Sequence, residues 1–497
     1  MSKSPPKLLV LGLDGATFDL LQPWVENGYL PTFAYLLETG AYGRLRSVPN
    51  TDTAPAWATF ATGLNPANHT LFSERNWTAD RRTLHHVRGA DRQGAAFWQI
   101  ASDAEKTVLV INVPFTYPAQ PINGVLITGI DAPGLNAPNF CYPPDFINKL
   151  RQQGIDYHID SDIQAAIKAN RHDEGLAAAY HVARQRTQAM LYAMSQYDWQ
   201  LAIIVYSLPD VMQHFFWQAM SHDNHPQHHA IRDGYAFVDK QIKTLGQAAG
   251  PDSNLLILSD HGFGPICATP AHLQAWLVQQ GFTYLLAEEQ RPVPQRVVST
   301  AYSWLRHTLG ERQKAALRRW LPGLRNRVES DVRLAGIDWS KTAAYAGPSS
   351  WEIWINRQGR EPQGIVADNY QQVRQQIIAA LLDWRDPQTG QKRVQTVHRC
   401  EEVYHGHFAH LAPDLTIEWN PAAAPTAGSL EENISRFDGD HQPEGIFIAA
   451  GPSIHPTRLN GLHLADVAPT ILHLSGIRYQ QTLDGRPLTE LLQEPAP

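Results

Sequence analysis

Cysteine is scarce in this chain, which has only Cys141, Cys267 and Cys400 among 497 residues. Their spacing shows no pairing, which excludes a fold built on a disulfide framework, and we expect reduced thiols.

Charge is scarce as well. Charged residues form 18% of the chain, against roughly 25% in an average globular protein, and the formal net charge is only −7. So weak a charge argues against a protein that binds nucleic acid over its whole surface.

Long hydrophobic runs are missing too. No segment approaches the ~20 consecutive apolar residues that a bilayer-spanning helix needs, so we expect no transmembrane segment. The first apolar run, Leu8–Leu13, is too short for the core of a signal peptide and has no small-residue cleavage site after it. We therefore expect a cytoplasmic protein. The length and a hydrophobic content of 43% indicate one large core with insertions, or two domains.

What the sequence does contain is an alternation of apolar runs and helical patterns. The predicted strands are Lys7–Leu13, Thr107–Val113, Gly124–Ile130, Leu201–Val205 and Leu255–Leu258. The predicted helices include Pro31–Thr39, Glu174–Tyr197 and His228–Ala249. Strand–helix–strand alternation predicts parallel pairing in a doubly wound α/β sheet.

The alternation breaks after Pro265 and resumes near residue 340. The intervening segment is basic from Arg291 to Arg333, with helical patterns over Val298–Leu309 and Glu311–Trp320. We therefore predict a catalytic core of residues 1–265 and 340–497, and a basic helical cap inserted over 266–339. The cap could be a solvated surface, a basic wall that attracts an anionic substrate, or a peripheral membrane contact. The apolar stripe for such a contact would be Trp304, Leu305, Leu317, Trp320 and Leu321.

Two of the predicted buried strands end in possible metal ligands. Asp14 follows the first strand directly, and Asp260 and His261 follow Leu255–Leu258 after one serine. In open α/β sheets, ligand sites lie at the carboxyl edge of the strands. Asp and His are also ligand types that zinc and similar divalent ions prefer. The alternative is that each strand simply ends in a polar turn.

Two helix starts carry further candidates. A helix predicted to begin near Pro55 would place Thr53 at or before its N-cap. Thr53 could be an ordinary cap, or a nucleophile beside the positive end of the helix dipole. Asp210 and His214 are four residues apart, so on a helix they would share one face. They could bind one ion together or form an ordinary polar pair.

A late histidine completes the set. His441 follows Gly439-Asp440 in a Gly-rich turn before an apolar strand, and His405 and His407 are rival candidates.

Three Asp and three His suit two zinc-like ions with three protein ligands each, which leaves open positions for substrate. Two ions about 4 Å apart can support phosphoryl transfer. A threonine bound to one ion could attack phosphorus, and a water on the other could cleave the phospho-threonine.

Taken in order, these motifs resemble the alkaline phosphatase superfamily, and most closely its type I phosphodiesterase/nucleotide pyrophosphatase family. The segments that carry the resemblance are Gly12–Gly15, Thr53–His69, Pro209–His214, Ser259–Gly262, Gly439–His441 and Asp466–Leu472. The resemblance covers roughly residues 6–265 and 340–490. It implies a three-layer sandwich with a mostly parallel central sheet.

The same resemblance implies the roles of the site residues. One metal would be held by Asp14, Asp260 and His261, with Thr53 at its open side as the nucleophile. The other metal would be held by Asp210, His214 and His441. The expected cofactors are two divalent ions, zinc in the first place and manganese as the alternative, and the expected partner is a small phosphorylated substrate.

One position departs from the family pattern. Nucleotide pyrophosphatases carry an Asn about twenty residues after the nucleophile, where it donates to a phosphoryl oxygen. The matching position here is Glu74, whose carboxylate would repel phosphate. We therefore expect Arg75 or Asn76 to take over this contact. The departure weakens the expectation of a nucleotide substrate more than it weakens the expectation of phosphoric-ester cleavage.

Three alternatives remain beside a phosphodiesterase. A phosphomonoesterase or a phosphoryl transferase of the mutase type could use the same site, and a scaffold could keep the fold without catalysis. A sulfatase would need Cys or Ser in a Cys-x-Pro-x-Arg motif. The chain has Thr53 and Trp57 at those two ends, so a sulfatase is not expected.

Overall fold

The computed structural model describes residues 5–78, 81, 83–287, 334, 336–424 and 437–492. The chain divides into two compact units. Unit 1 comprises Met1–Thr70, Arg88–Ile266 and Ala427–Pro497, and unit 2 comprises Leu71–Val87 and Cys267–Thr426. Residues 340–424 contain a separate sheet and cluster with 267–287 in unit 2. The division predicted from the sequence, a core of 1–265 and 340–497 with an inserted cap, stays a prediction. Most of the segment 266–339, including its two predicted helices and apolar stripe, lies outside the described residues, so the helical cap stays a prediction.

Within the described residues the strands follow the chain in this order: β1 (Leu8–Leu13), β2 (Ala41–Arg46), β3 (Arg75–Trp77), β4 (Leu84–His86), β5 (Val108–Val113), β6 (Gly124–Thr128), β7 (Cys141–Tyr142), β8 (Leu201–Tyr206), β9 (Asn254–Leu258), β10 (Gly262–Pro265), β11 (Ala344–Ala346), β12 (Glu352–Ile355), β13 (Val394–Arg399), β14 (Leu415–Trp419), β15 (Gly439–Gln442), β16 (Glu444–Ala450), β17 (Thr457–Arg458) and β18 (Leu462–His463).

The α-helices of the described residues are α1 (Phe18–Glu26), α2 (Pro31–Thr39), α3 (Thr53–Thr62), α4 (Pro66–His69), α5 (Phe97–Asp103), α6 (Phe146–Gln152), α7 (Ile163–Lys168), α8 (His172–Gln196), α9 (Leu208–Met220), α10 (Ala230–Ala249), α11 (Pro270–Gln279), α12 (Tyr370–Asp383), α13 (Cys400–Val403) and α14 (Val467–Leu474). None of the helices in these ranges has both the length and the apolar character that a bilayer crossing demands.

Unit 1 is organised around a ten-stranded sheet with the order β17-β2-β16-β9-β1-β8-β5-β6-β7, in which β18 also pairs with β2. The five central strands, β9-β1-β8-β5-β6, are parallel. Strand β16 pairs antiparallel with both β2 and β9. The mostly parallel sheet confirms the predicted α/β class, and it follows from strands that are apolar along their whole length.

Helices cover both faces of this sheet. Alternate residues of β1 point to opposite sides, with Leu9 and Leu11 in one hydrophobic cluster and Leu8 and Val10 in the other. The first cluster also contains residues of α1, α2 and α6–α10, and the second contains residues of α3, α5 and α14. The result is a three-layer sandwich, as expected.

Unit 2 has its own small core. Its antiparallel sheet has the order β11-β12-β14-β13, and residues of α11 and α12 pack on it. Strands β3 and β4 form a separate hairpin in this unit.

A single glycine in β1 lets a large side chain approach the sheet. A Cβ atom at Gly12 would lie 2.5 Å from the ring of Trp57 and 2.8 Å from Val205. We expect Gly12→Ala to lower the free energy of unfolding by about 1–3 kcal/mol through overpacking. Urea titration would measure this. Gly246→Ala in α10 is the matched control, since nothing lies within 4 Å of its Cβ position, and it should be neutral or stabilising. Equal effects of the two changes would contradict the packing argument.

Candidate active site

Three neighbouring strands of unit 1 end at the same level. Leu13 of β1 pairs with Tyr206 of β8, and Gly12 pairs with Leu258 of β9. The chain after each end carries one of the predicted aspartates: Asp14 directly, Asp260 after one residue, and Asp210 in the first turn of α9. The parallel register therefore brings together three carboxylates that lie far apart in the sequence.

A tight turn fixes two of these carboxylates next to each other. Gly15 has a φ of +66°, a conformation that other residues rarely adopt, and its N–H donates to Asp260 Oδ1 at 3.3 Å. Its carbonyl accepts from the side-chain amide of Gln213 at 2.9 Å, which in turn accepts from the Tyr235 hydroxyl. These buried bonds set the turn that follows Asp14.

His441 lies on a strand rather than in the turn that we predicted, so that part of the expectation was wrong. Strands β10 and β15 pair antiparallel, with Phe263 opposite His441. The pairing stacks the ring of His441 on that of His261, with centroids 3.7 Å apart. A Gly-rich segment takes strand form here because a distant segment supplies its partner, which the local sequence does not reveal.

Each of the three histidines in the site is oriented by a backbone carbonyl. A carbonyl can only accept, so the Nδ1 atom of each ring donates and the Nε2 atom is left for another partner. The acceptors are Gly439 for His214, Gly262 for His261 and Thr51 for His441, at 3.0, 2.9 and 2.8 Å. Histidine ligands of metal ions are commonly held in this way.

The first group of ligand atoms is formed by Asp210, His214 and His441. Asp210 Oδ1 lies 3.3 Å from His214 Nε2 and 3.4 Å from His441 Nε2, and the two nitrogens are 3.2 Å apart. Two neutral imidazoles that donate through Nδ1 would point lone pairs at each other and at the carboxylate. This arrangement needs a cation between them, either a proton or a metal ion.

The second group is formed by Asp14, Asp260 and His261. His261 Nε2 lies 3.5 Å from Asp14 Oδ1 and 3.3 Å from Asp260 Oδ2. Asp210 connects the two groups, because atoms of Asp14, Asp210 and His261 also lie within 4.8 Å of one another. Asp210 can therefore reach an ion in either group.

Several of these buried atoms have no hydrogen-bond partner in the described part of the chain. They are Asp14 Oδ1, Asp210 Oδ1, Asp260 Oδ2 and His261 Nε2. An unpaired buried polar atom costs free energy, so a cluster of them indicates a missing partner. Carboxylate oxygens and imidazole nitrogens are the donor set of a zinc-class divalent ion, and these residues fit one.

The acid–base equilibria of the site reflect the crowding of like charges. Burial, together with neighbouring carboxylates, raises the pKa of Asp14 well above its ordinary value and that of Asp260 to about 8. Burial lowers the pKa of His261. Burial also opposes the charge on Asp210 and on His441. The contacts of Asp210 with His214 and then with His441 outweigh burial and lower the pKa of Asp210. The contact with Asp210 raises the pKa of His441 to about 10.

Thr53 occupies the first position of α3, while Asp52 takes the N-cap position and makes no side-chain cap bond. Among the described residues, the Thr53 hydroxyl and the N–H groups of Thr53 and Ala54 have no hydrogen-bond partner. The preceding Thr51 carbonyl is the one that accepts from His441, which connects this helix start to the ligand cluster. A hydroxyl beside free helix N–H groups suits an attack on a phosphoryl group.

Two buried side chains, Trp57 and His69, support this helix, and neither was assigned a role in the sequence analysis. Trp57 donates from Nε1 to Asp14 Oδ2 at 3.3 Å. His69 Nε2 lies 2.9 Å from the hydroxyl of Thr59, and burial lowers its pKa to about 3, so the ring is neutral. Both residues lie inside the family-like segment Thr53–His69, which was the only signal that could have drawn attention to them.

The family model for type I phosphodiesterase / nucleotide pyrophosphatase matches residues 8–444. The chain belongs to this family. It is therefore a phosphodiesterase-type hydrolase, and its α/β core is the alkaline-phosphatase-like fold that the motifs predicted. No curated protein matched the chain.

The predicted phosphoryl contacts of this hydrolase lie in unit 2. The guanidinium of Arg75 donates to the Pro348 carbonyl at 3.3 Å, and Asn76 Oδ1 accepts from the N–H of Phe72 at 3.3 Å. Arg75 and Asn76 also line a cavity of about 280 Å³ together with Trp77. Their contact with substrate stays a prediction.

The rival ligands His405 and His407 belong to unit 2 as well. His441 instead lies in unit 1 with all the other candidate ligands, within 3.4 Å of Asp210.

The pKa shifts give the metal-free enzyme a defined pH dependence. The pKa of Asp260 is about 8 in the folded protein, against an ordinary value of 3.8. The contribution of this group to stability is therefore full at low pH and falls as the pH rises from about 4 to 8. The contribution of protonated His441 to stability is full below about pH 6.5 and is lost as the pH rises towards 10. We therefore expect a lower melting temperature at about pH 9 than at about pH 7 after chelation. Asp260→Asn should show a shallower decline, and an equally steep one would contradict this assignment.

The bond from Trp57 to Asp14 predicts a supporting role in metal binding. We expect Trp57→Phe to weaken metal affinity by about 10–100-fold, because the carboxylate loses a donor that orients it. Competition with a chromogenic chelator measures the affinity. Trp98→Phe is the control, since Trp98 is also buried but packs on Phe97 in α5. If the two variants bind the metal with equal affinity, the proposed role of the Trp57 N–H in metal binding is contradicted.

Proposed function

We propose that this enzyme hydrolyses a small phosphoric ester through a covalent phospho-threonine on Thr53, at a centre that holds two divalent ions. The proposed ligands are Asp14, Asp260 and His261 for one ion, and Asp210, His214 and His441 for the other. The observation that supports this most strongly is the set of buried, unpartnered ligand atoms next to a helix start whose hydroxyl has no hydrogen-bond partner among the described residues. Zinc is the proposed metal and manganese the alternative, since both accept oxygen and imidazole ligands.

When bound, the ions would neutralise charge on the attacking, leaving and phosphoryl oxygens. The protein supplies the other parts of the chemistry. Helix α3 presents the Thr53 hydroxyl, and the N–H groups of Thr53 and Ala54 can donate to phosphoryl oxygens. Trp57 and the turn at Gly15 hold Asp14 and Asp260 in place.

The proposed reaction has two displacements. In the first, Thr53 Oγ1 forms a bond to phosphorus while the bond to the leaving alcohol breaks; the threonine proton is released and the alkoxide is protonated by water. In the second, water attacks phosphorus and the bond to Oγ1 breaks; one water proton restores the Thr53 hydroxyl, and the phosphomonoester product is released. The substrate is a phosphodiester in this proposal. Cleavage of a monoester, or transfer to another acceptor, is the alternative at the same site.

The nucleophile can be tested by removing and by retaining the hydroxyl. We expect Thr53→Ala to reduce kcat on the order of 10³-fold or more, because no phospho-threonine can form. Thr53→Ser keeps an attacking hydroxyl and should retain measurable turnover. Acid quenching of the wild-type reaction with the diester should trap on Thr53 a phosphoryl group that still carries its second ester substituent, detected by mass spectrometry. Full activity of Thr53→Ala would refute the covalent route.

The choice of ester decides between the alternatives. The enzyme would be assayed with bis(p-nitrophenyl) phosphate and with p-nitrophenyl phosphate, each with zinc and with manganese. Preferred diester cleavage that is lost in Asp260→Asn supports the proposal. Preference for the monoester would assign a phosphatase or transferase instead, and no turnover together with no bound metal would indicate a scaffold.

A further inference from the structure

Away from the catalytic cluster, the segment after α6 alternates between buried and exposed residues. Ile155 and Tyr157 are buried, whereas Asp156 is exposed and His158 is partly exposed. Residues two apart in an extended chain point to the same side. Asp156 and His158 therefore project together from the outer side of this segment.

Helix α8 brings a third side chain to the same place. The buried guanidinium of Arg186 donates to the Ile159 carbonyl at 2.6 Å, which ties the segment to the helix. His181 is exposed on α8, and its ring centroid lies 5.9 Å from that of His158. Two imidazoles and one carboxylate thus meet from two parts of the chain.

The ligand atoms are close enough to share an ion. His158 Nε2 lies 2.9 Å from Asp156 Oδ2, and one ligand atom from each of the three residues lies within 4.8 Å of the others. Tetrahedral zinc with bonds of about 2.1 Å holds its ligand atoms roughly 3.4 Å apart, so small side-chain rotations would close the site. No hydrogen bond within the described ranges engages the imidazole of His181.

The donor types select the class of ion. Imidazole nitrogen suits zinc, nickel and copper, whereas calcium and magnesium prefer oxygen ligands alone. Three protein ligands leave a fourth position for water. We propose that Asp156, His158 and His181 form a second, peripheral site for a zinc-class divalent ion, which cross-links the segment 155–159 to helix α8. This site is separate from the catalytic centre and does not depend on it.

The experiment measures zinc stoichiometry and affinity in the full-length protein. Wild type, His158→Ala/His181→Ala and the control His473→Ala are stripped with a chelator, reloaded with zinc and passed through a desalting column. His473 is an exposed histidine of α14 outside every ligand cluster. We expect the double variant to bind one zinc per chain fewer than wild type and control, to lose a component of micromolar or tighter affinity, and to keep its esterase activity. Equal stoichiometry in all three proteins overturns the proposal.

A second background separates this site from the catalytic one. In Asp260→Asn, which lacks a proposed catalytic ligand, the loss of one zinc on replacing His158 and His181 should still be observed. If that loss disappears, the peripheral site is refuted. If wild type and Asp260→Asn bind the same amount of metal, the proposed catalytic metal centre is contradicted, and the peripheral site is unaffected. Zinc-dependent dimerisation in sedimentation experiments would also overturn the proposal, because it would place the ligands on two chains.

Discussion

The structure depends on one unfavourable arrangement, the convergence of three carboxylates and three imidazoles in a buried space at the ends of three adjacent strands. Burying like charges together is costly, and the protein alone offers them too few hydrogen bonds. The raised pKa of Asp260 expresses this cost, because burial in the first place, and the charge of Asp210 in the second, favour the protonated carboxyl. A fold that maintains such a cluster needs cations to balance it, and a phosphoryl group is a ligand that such cations would accept.

The sheet and one helix together make this arrangement possible. Strand β1 lies between β8 and β9, so the three aspartates are positioned by a common register rather than by flexible loops. Gly12 leaves room for Trp57 to reach Asp14, and Trp57 belongs to the helix that begins with Thr53. One helix therefore presents the proposed nucleophile and also orients a proposed metal ligand. A shift of α3 would disturb both at once, which couples nucleophile position to metal binding.

The sequence was sufficient to predict the sheet and the residues that converge in the buried cluster, because local patterns indicate both. Apolar runs that end in Asp14 or Asp260 indicate strand ends, and the four-residue spacing of Asp210 and His214 indicates one helical face. The pairing of β10 with β15, the Thr51 carbonyl that orients His441 and the donor from Trp57 depend on contacts between distant segments. No local pattern reports such contacts. The strand form of His441 was missed for this reason, although its place in the cluster was expected.

The proposed catalytic cluster is buried and the proposed peripheral site is exposed, although both use carboxylate and imidazole donors. Buried ligands are held by fixed partners, so they are organised before any ion arrives, and their unbound state is costly. Exposed ligands such as Asp156 and His181 are solvated without an ion, so the fold tolerates their unbound state. Affinity at the buried site is therefore built into the fold, whereas binding at the surface must also order the side chains. It follows that an ion at the proposed peripheral site should be lost before ions at the proposed catalytic centre when zinc becomes limiting.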